Sequence, residues 1–461
     1  MKAYDLQPTY ENLLNTFTND TIGRNGDVFH FIDILDSAED NCSIALEGKW
    51  GSGKTFFVKQ AKMVLDAHND FLSNTCTEDR KKIKDMRVSF YRNSAYELQP
   101  QVCVYYDAWE NDNDDDPILS LVYTILHSAE SDFSFKDTSC LKVAAGILEV
   151  FSGREWTQLI ESLKGENPLD KLKQDKAVEE RVHEFLESLL PEKGNRLVIF
   201  IDELDRCKPS YAVKLLERIK HYFVDDKITF VFSVNIDELQ NTIRKYYGEG
   251  FDGSRYLDRF FDLRVSLPAP NMQKYYQSLG FFESNYYYDI VCGAVIKAYH
   301  FGLREIAKYL RLTKIAAYEP THSSSSFEFS FADGRAIQFC LFYVVPIMIG
   351  LKILDARKYT SFIEGADGTP LLEISRFVSV YTFGKLLGVD ETYSEKEAKQ
   401  GKTLVTIESK LNLVYSALFE KDYALDRRDI LIGDLEFSAR TKEILLRTAS
   451  LLSGYVKIDK N

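Results

Sequence analysis

A loop of eight residues, Gly48 to Thr55, constrains the fold of this chain more than any other part of its sequence. It follows a short apolar run at 43–47 and precedes a stretch with helical periodicity at 56–68. The pattern GxxxxGK[ST] between a strand and a helix predicts a phosphate-binding loop, because glycines let successive backbone N–H groups turn inward. The residues expected to bind nucleotide are Gly48, Lys49, Trp50, Gly51, Ser52, Gly53, Lys54, Thr55 and Phe56.

A second motif supports the first one. The apolar run VIFI at 198–201 is followed by Asp202 and Glu203, which is the arrangement of a Walker B strand. We expect Lys54 to reach the β- and γ-phosphates, and Thr55 and Asp202 to hold Mg²⁺. Glu203 is then the candidate base for the attacking water. The two motifs together predict a nucleotide hydrolase that uses Mg²⁺.

A third apolar run, FVFSV at 230–234, ends at Asn235. A polar side chain at the end of a strand next to the Walker B strand is a candidate sensor of the γ-phosphate, so we assign Asn235 a catalytic role, with Ser233 as the alternate. Equally, Asn235 can serve as the N-cap of a helix that begins near Asp237.

The apolar runs alternate with helical patterns through the first half of the chain. Continuous apolar strands separated by helices predict an α/β fold, in which a parallel sheet carries helices on both faces. We expect this core to occupy residues 1–270, with insertions at about 66–100 and 131–174. The remainder, 271–461, has mostly helical periodicity and is predicted to form a helical lid and a helical C-terminal domain.

The composition of the chain indicates its class of partner and its cellular location. The net charge is −13, which argues against a general nucleic-acid binder but does not exclude a local basic patch. The seven cysteines have no CxxC spacing, and the N-terminus has no apolar signal segment, so we expect a cytoplasmic protein without structural zinc. The apolar run 336–351 is shorter than the roughly 20 residues of a spanning helix, which favours a buried helix over a membrane segment.

Several motifs resemble the KAP family of P-loop NTPases. They are the segment DTIGR at 20–24, the tryptophan-containing Walker A loop LEGKWGSGKT at 46–55, YDAW at 106–109, DELDRC at 202–207, YLDRFF at 256–261 with LPAP at 267–270, and LREI at 303–306. Two positions depart from the family pattern, since Asp107 stands for an asparagine and Asn235 for a frequent aspartate. The resemblance implies a P-loop NTPase.

The resemblance also carries expectations about site and setting. Many members have transmembrane helices between the Walker motifs, and the insert at 131–174 holds no segment long enough, which indicates a soluble, prokaryotic-type member. Some members act in antiviral defence, so a prokaryotic defence role is implied here. Arg206, Arg259 and Arg304 are candidates for arginine contacts to nucleotide, although surface arginines are common.

The function expected from the sequence is an ATP-dependent switch. No guanine-reading NKxD motif occurs, which favours ATP over GTP. The expected partner is a second copy of the chain or a co-encoded effector protein. The alternative is a nucleotide-binding scaffold with little turnover that recruits its partner through the C-terminal helical domain.

Overall fold

The chain forms two compact units. The computed structural model describes residues 7–72, 76–92, 96–114, 116–132, 183–184, 190, 194–279, 287–313, 316, 335–379, 402–420, 430–432, 435–437, 441 and 445. The first unit comprises Gln7–Tyr275, and the second contains 276–461.

A five-stranded parallel sheet forms the centre of the first unit. Its strands are β1 (Cys42–Glu47), β2 (Gln101–Asp107), β3 (Arg196–Asp202), β4 (Ile228–Val234) and β5 (Leu263–Ser266). Their order across the sheet is β2-β3-β4-β1-β5. Every residue of β4 is buried, as expected for a central strand covered on both faces.

Helices cover both faces of this sheet. They are α1 (Tyr10–Thr18), α2 (Asn25–Asp36), α3 (Lys54–His68), α4 (Thr77–Phe90), α5 (Pro117–Asp132), α6 (Pro209–Tyr222), α7 (Ile236–Tyr247) and α8 (Gly253–Leu257). A further helix, α9 (Met272–Ser278), contains the boundary between the two units. Side chains of β3 alternate between two separate cores, because successive residues of a strand point to opposite faces. Val198 and Phe200 pack with α1, α2 and α3, whereas Ile199 and Ile201 pack with α5, α6 and α7. The predicted α/β P-loop fold is confirmed.

The second unit is mainly helical. Its helices are α10 (Tyr287–Ala298), α11 (Leu303–Thr313), α12 (Arg335–Phe339), α13 (Val345–Leu354), α14 (Ala356–Ile363), α15 (Thr369–Ser375) and α16 (Lys402–Phe419). Two short antiparallel strands, β6 (Ile430–Ile432) and β7 (Leu435–Phe437), accompany them. Within 271–461 we also expect a helical segment near 436–454 from its periodicity, and this is wrong at its start, where β7 pairs with β6. Most of the remainder of 436–454 lies outside the described residues.

One continuous helix, Ala336–Leu354, is long and apolar enough to cross a membrane by length and composition alone. Within the protein 78% of it is buried, and it packs against α10 and α11, as a core helix does. Pro346 has no N–H for an α-helical bond, and the preceding turn is a π-turn in which the Val345 N–H bonds the Cys340 carbonyl. Gln338 and Pro346 interrupt the apolar run 336–351, and both lie inside this one helix.

The two predicted insertions differ in outcome. The charged segment 66–100 contains the end of α3 and the whole of α4, and the two helices pack against each other. Of the second insertion only the first two residues, 131–132, are described, as the end of α5. The remainder of 131–174 lies outside the described residues. The segment 175–190, whose apolar spacing predicts an amphipathic helix, is also mostly outside them.

Candidate functional site

The phosphate loop connects β1 to α3 at the carboxyl edge of the sheet. Gly51 and Gly53 have φ values of 76° and 90°, in the left-handed region that glycine adopts without strain. The Gly48 N–H donates to the Val234 carbonyl at 3.1 Å, which ties the start of the loop to the end of β4. A Cβ on Gly48 would lie 2.8 Å from the Ser52 Oγ and 3.2 Å from the Lys54 Cγ, so a side chain there would displace the side chains of Ser52 and Lys54. The backbone is therefore curled as phosphate binding demands.

Lys54 is the first residue of α3, and its side chain lies under the loop. It is 9% exposed, and its Nζ donates to the carbonyls of Gly48 at 2.7 Å and Lys49 at 3.3 Å. Burial lowers the pKa of Lys54, while the carboxylates of the 202–205 turn act in the opposite direction. The ammonium group is thus held beside the loop by backbone carbonyls, from which it can transfer to an oxygen of a bound phosphate.

Three neighbouring strands bring polar side chains to the same edge. In the register of the sheet Asp107 of β2 pairs with Asp202 of β3, which pairs with Ser233 of β4. Asp202 is 1% exposed and its carboxylate accepts from the Tyr105 hydroxyl and from the Glu203 N–H, each at 3.0 Å. Both of these donors are neutral, so the charge of Asp202 is available to a cation at this edge.

Glu203 begins a short 3₁₀ turn, Leu204–Arg206, and has a left-handed backbone with φ of 61°. Residues other than glycine rarely adopt this conformation, and such strain clusters at functional sites. Burial raises the pKa of Glu203 to about 7, and the Asp202 carboxylate adds to the rise. The Arg206 guanidinium opposes it, because its Nε lies 2.5 Å from the Glu203 Oε2. A carboxyl with this pKa suits a general base at neutral pH.

Asn235 follows β4, which is the neighbour of the Walker B strand β3 in the sheet. Because β4 separates β1 from β3, Asn235 at its end lies between the phosphate loop and the carboxylates of β3. Asn235 is the N-cap residue of α7, but its side chain makes no capping hydrogen bond. The Ser233 Oγ is buried without a hydrogen-bond partner in the described part of the chain. The sensor role of Asn235 stays a prediction.

The comparison with protein families agrees with this geometry. A model of the KAP family P-loop domain matches residues 28–280. The chain belongs to the KAP family. Among solved structures it is similar to the Aeropyrum pernix ORC2 protein in its ADPNP–ADP complexes, with 12% identity over 84% of this chain and 94% of that chain, at a TM-score of 0.32. The comparison with curated proteins gave no match. The family resemblance inferred from the motifs is confirmed.

The site of this KAP domain contains side-chain contacts that sequence reasoning did not identify. The Trp50 Nε1 donates to the Asp205 Oδ2 at 2.6 Å, which links the phosphate loop to the turn after β3. Arg206 lies over the rings of Trp50 and Trp109, at 5.7 and 5.4 Å from their centroids. The sequence indicated these residues only through the family motifs. Those motifs place them in the Walker A loop, in the YDAW segment and in DELDRC.

Arg24 also belongs to the site, and the sequence assigned it no role. It is 2% exposed, and its NH1 donates to the carbonyl of Ser52 in the phosphate loop at 2.8 Å. Its Nε has no hydrogen-bond partner in the described part of the chain, and burial lowers the pKa of Arg24 to about 10. A buried arginine that holds a loop carbonyl in this way fixes the direction of the neighbouring peptide groups.

The three candidate arginines lie in different surroundings. Arg206 is engaged by Glu203 and the two tryptophans. Arg259 is exposed after α8 in the first unit, and Arg304 is exposed at the start of α11 in the second unit. Contacts of these arginines with nucleotide stay predictions.

Proposed function

We propose that this KAP protein binds ATP and hydrolyses it with Mg²⁺, and that the ATP cycle switches its interaction with a partner. One observation carries the proposal: a curled phosphate loop and an Asp–Glu pair end two strands of one parallel sheet, with a single strand between them. At the usual spacing of neighbouring strands, β1 and β3 are roughly 10 Å apart, which leaves room for a triphosphate above β4. Family membership supports nucleotide binding by the same loop.

Each residue has a separate role in this proposal. The loop N–H groups and the N-terminus of α3 bind phosphate oxygens, and Lys54 neutralises the β- and γ-phosphates. Thr55 and Asp202 fit Mg²⁺, because hard oxygen donors suit this ion and the Asp202 carboxylate has no cationic hydrogen-bond donor in the described residues. Bound Mg²⁺ would neutralise charge on the phosphates. Glu203 accepts the proton of the attacking water, and Asn235 bonds the γ-phosphate.

The test of this proposal compares ATP affinity and ATP turnover for two neighbouring substitutions. Glu203→Gln keeps the volume of the side chain and removes the basic oxygen, so we expect ATP affinity to be retained while turnover falls by roughly 10²-fold or more. Asp202→Asn should weaken Mg²⁺-dependent ATP binding as well. Glu110→Gln, an exposed glutamate, is the matched control and should turn over ATP like the parent.

The outcomes separate the enzyme from the scaffold. If Glu203→Gln hydrolyses ATP at the parental rate, Glu203 is not the base. If the parent binds ATP but shows no Mg²⁺-dependent turnover, alone or with candidate partners, the protein is a nucleotide-binding scaffold. Parallel assays with GTP test the preference for ATP.

The setting proposed for this activity is prokaryotic and cytoplasmic, and an antiviral defence role rests on family resemblance alone. The partner is a second copy of the chain or a co-encoded effector. Mass and small-angle scattering of the apo and ATP-bound forms test the switch, since identical profiles would contradict it.

A further inference from the structure

A cluster of aromatic and charged side chains surrounds the turn that follows β3. Arg206 lies over the rings of two tryptophans that belong to different segments, Trp50 of the phosphate loop and Trp109 after β2. Both rings are about half exposed, at 49% and 52%. The guanidinium itself is more enclosed, with 22% of its side chain exposed. The two rings thus shield a cation that would otherwise be solvated.

Contact with two rings restricts the arginine side chain. A planar guanidinium packs favourably on aromatic faces. This packing limits the number of conformations that the arginine side chain can adopt. Trp50 is itself fixed by the bond from its Nε1 to Asp205, the residue preceding Arg206. Arg206 is therefore held in one direction by groups on three segments of the first unit. We call Trp50, Trp109 and Arg206 the tryptophan clamp.

The clamp directs Arg206 at the proposed catalytic base. The Arg206 Nε is 2.5 Å from the Glu203 Oε2, and the Glu203 side chain is 17% exposed. In the described part of the chain no other side chain bonds this carboxylate. Contact through one oxygen leaves Oε1 to accept a hydrogen bond from water. A glutamate side chain is flexible, so an anchor at one oxygen determines where the other lies.

We propose that Arg206 is a positioning residue, which the tryptophan clamp orients so that it holds Glu203 by Oε2 and presents Oε1 to the attacking water. The inference rests on the proposed function of Glu203 as base. It assigns Arg206 no contact with nucleotide. The arginine is already occupied by the ion pair and by the two rings, so its loss should affect the chemical step and leave ATP binding intact.

The kinetic test uses Arg206→Ala, Arg206→Lys and Trp109→Leu, with Arg218→Ala as the matched control. Arg218 also pairs with a carboxylate, Asp116, and lies over an aromatic ring, Tyr222. We expect Arg206→Ala to lower kcat roughly 10- to 100-fold, the scale of a misplaced reacting group, with KM for ATP changed less than about twofold. Arg206→Lys should restore part of kcat, Trp109→Leu should lower kcat less than Arg206→Ala does, and Arg218→Ala should match the parent.

A fluorescence test needs no turnover. The chain has three tryptophans, so Trp156→Phe leaves Trp50 and Trp109 as reporters. In this background and without nucleotide, Arg206→Ala should shift the emission because both rings lose the guanidinium. Glu203→Gln should also shift it, because Arg206 loses its ionic partner, and Arg218→Ala should not.

Three results would overturn the inference. An increase in KM of tenfold or more with unchanged kcat would make Arg206 a nucleotide contact. A rise in kcat for Arg206→Ala would mean that the ion pair blocks Glu203 instead of positioning it. Unchanged emission in Glu203→Gln would mean that Arg206 and the rings do not respond to the carboxylate. Absence of turnover in the parent would instead refute the proposed function, and the emission of Glu203→Gln would still decide whether the clamp is coupled to Glu203.

Discussion

Replacement of Arg24 should separate the stability of this protein from its function. The ordinary pKa of an arginine is 12.5, and burial lowers that of Arg24 to about 10, a difference that corresponds to about 3 kcal/mol against the charged form. The hydrogen bond to the Ser52 carbonyl offsets this with about 1.5–3 kcal/mol, the usual contribution of a charged donor. The difference between the two terms is at most about 1.5 kcal/mol. We therefore expect Arg24→Met to change the free energy of unfolding by no more than about 1.5 kcal/mol.

The same substitution should weaken ATP binding. Without Arg24 the Ser52 peptide is no longer held, and ordering even one loop residue on binding costs about 1–2 kcal/mol. That corresponds to roughly a 5- to 30-fold loss of affinity, since about 1.4 kcal/mol is tenfold. Urea denaturation and calorimetric ATP titration measure the two effects on one preparation, and Arg24→Lys, which keeps the charge, is the control. A loss of stability of 3 kcal/mol or more with unaltered ATP affinity would refute the reasoning.

Three further predictions concern other parts of the site and fold. Asp202→Asn should weaken the Mg²⁺-dependent binding of ATP, and an ATP affinity in Mg²⁺ equal to that of the parent would contradict the assignment. Burial lowers the pKa of His68, so the unfolded chain takes up a proton more readily than the folded one, and stability should fall as pH drops below about 6.5. In His68→Gln the urea midpoint should therefore fall less steeply below this pH than in the parent. Identical pH profiles of the midpoint in the two proteins would exclude a contribution of His68. Gly365 has φ of 82°, and a Cβ there would lie 2.7 Å from the Phe419 carbonyl oxygen. Gly365→Ala should therefore lower the free energy of unfolding of the second unit by about 1–3 kcal/mol in urea, and a neutral substitution would show that the backbone shifts freely.

The local pattern of apolar residues was sufficient to predict the core of the fold. The apolar runs that became β3 and β4 are continuous because both faces of each strand are covered, and this signal is present in every few residues of sequence. The loop from Gly48 and the pair Asp202–Glu203 follow fixed local spacings, so their positions at strand ends were predictable. Val198 and Ile199 enter opposite cores, which follows directly from strand geometry.

The contacts that join distant segments were not predictable in the same way. Arg24 precedes its partner Ser52 by 28 residues, and Trp50 meets Asp205 across 155. Nothing in the neighbourhood of either residue specifies such a contact, which depends on how the sheet orders its strands. The pairing of β6 with β7 was missed for a different reason, since strands of three residues give too short a pattern to separate from a helix.

Release of phosphate from ATP by the purified protein tests the central claim most directly. Initial rates are measured with Mg²⁺ and with EDTA for the parent, for Lys54→Ala, and for Lys62→Ala as a control on the same helix. We predict Mg²⁺-dependent turnover in the parent and in Lys62→Ala, and its loss in Lys54→Ala, because the loop then lacks its charge at the β- and γ-phosphates. Undiminished turnover in a folded Lys54→Ala protein would contradict the assignment of residues 48–55 as the nucleotide site.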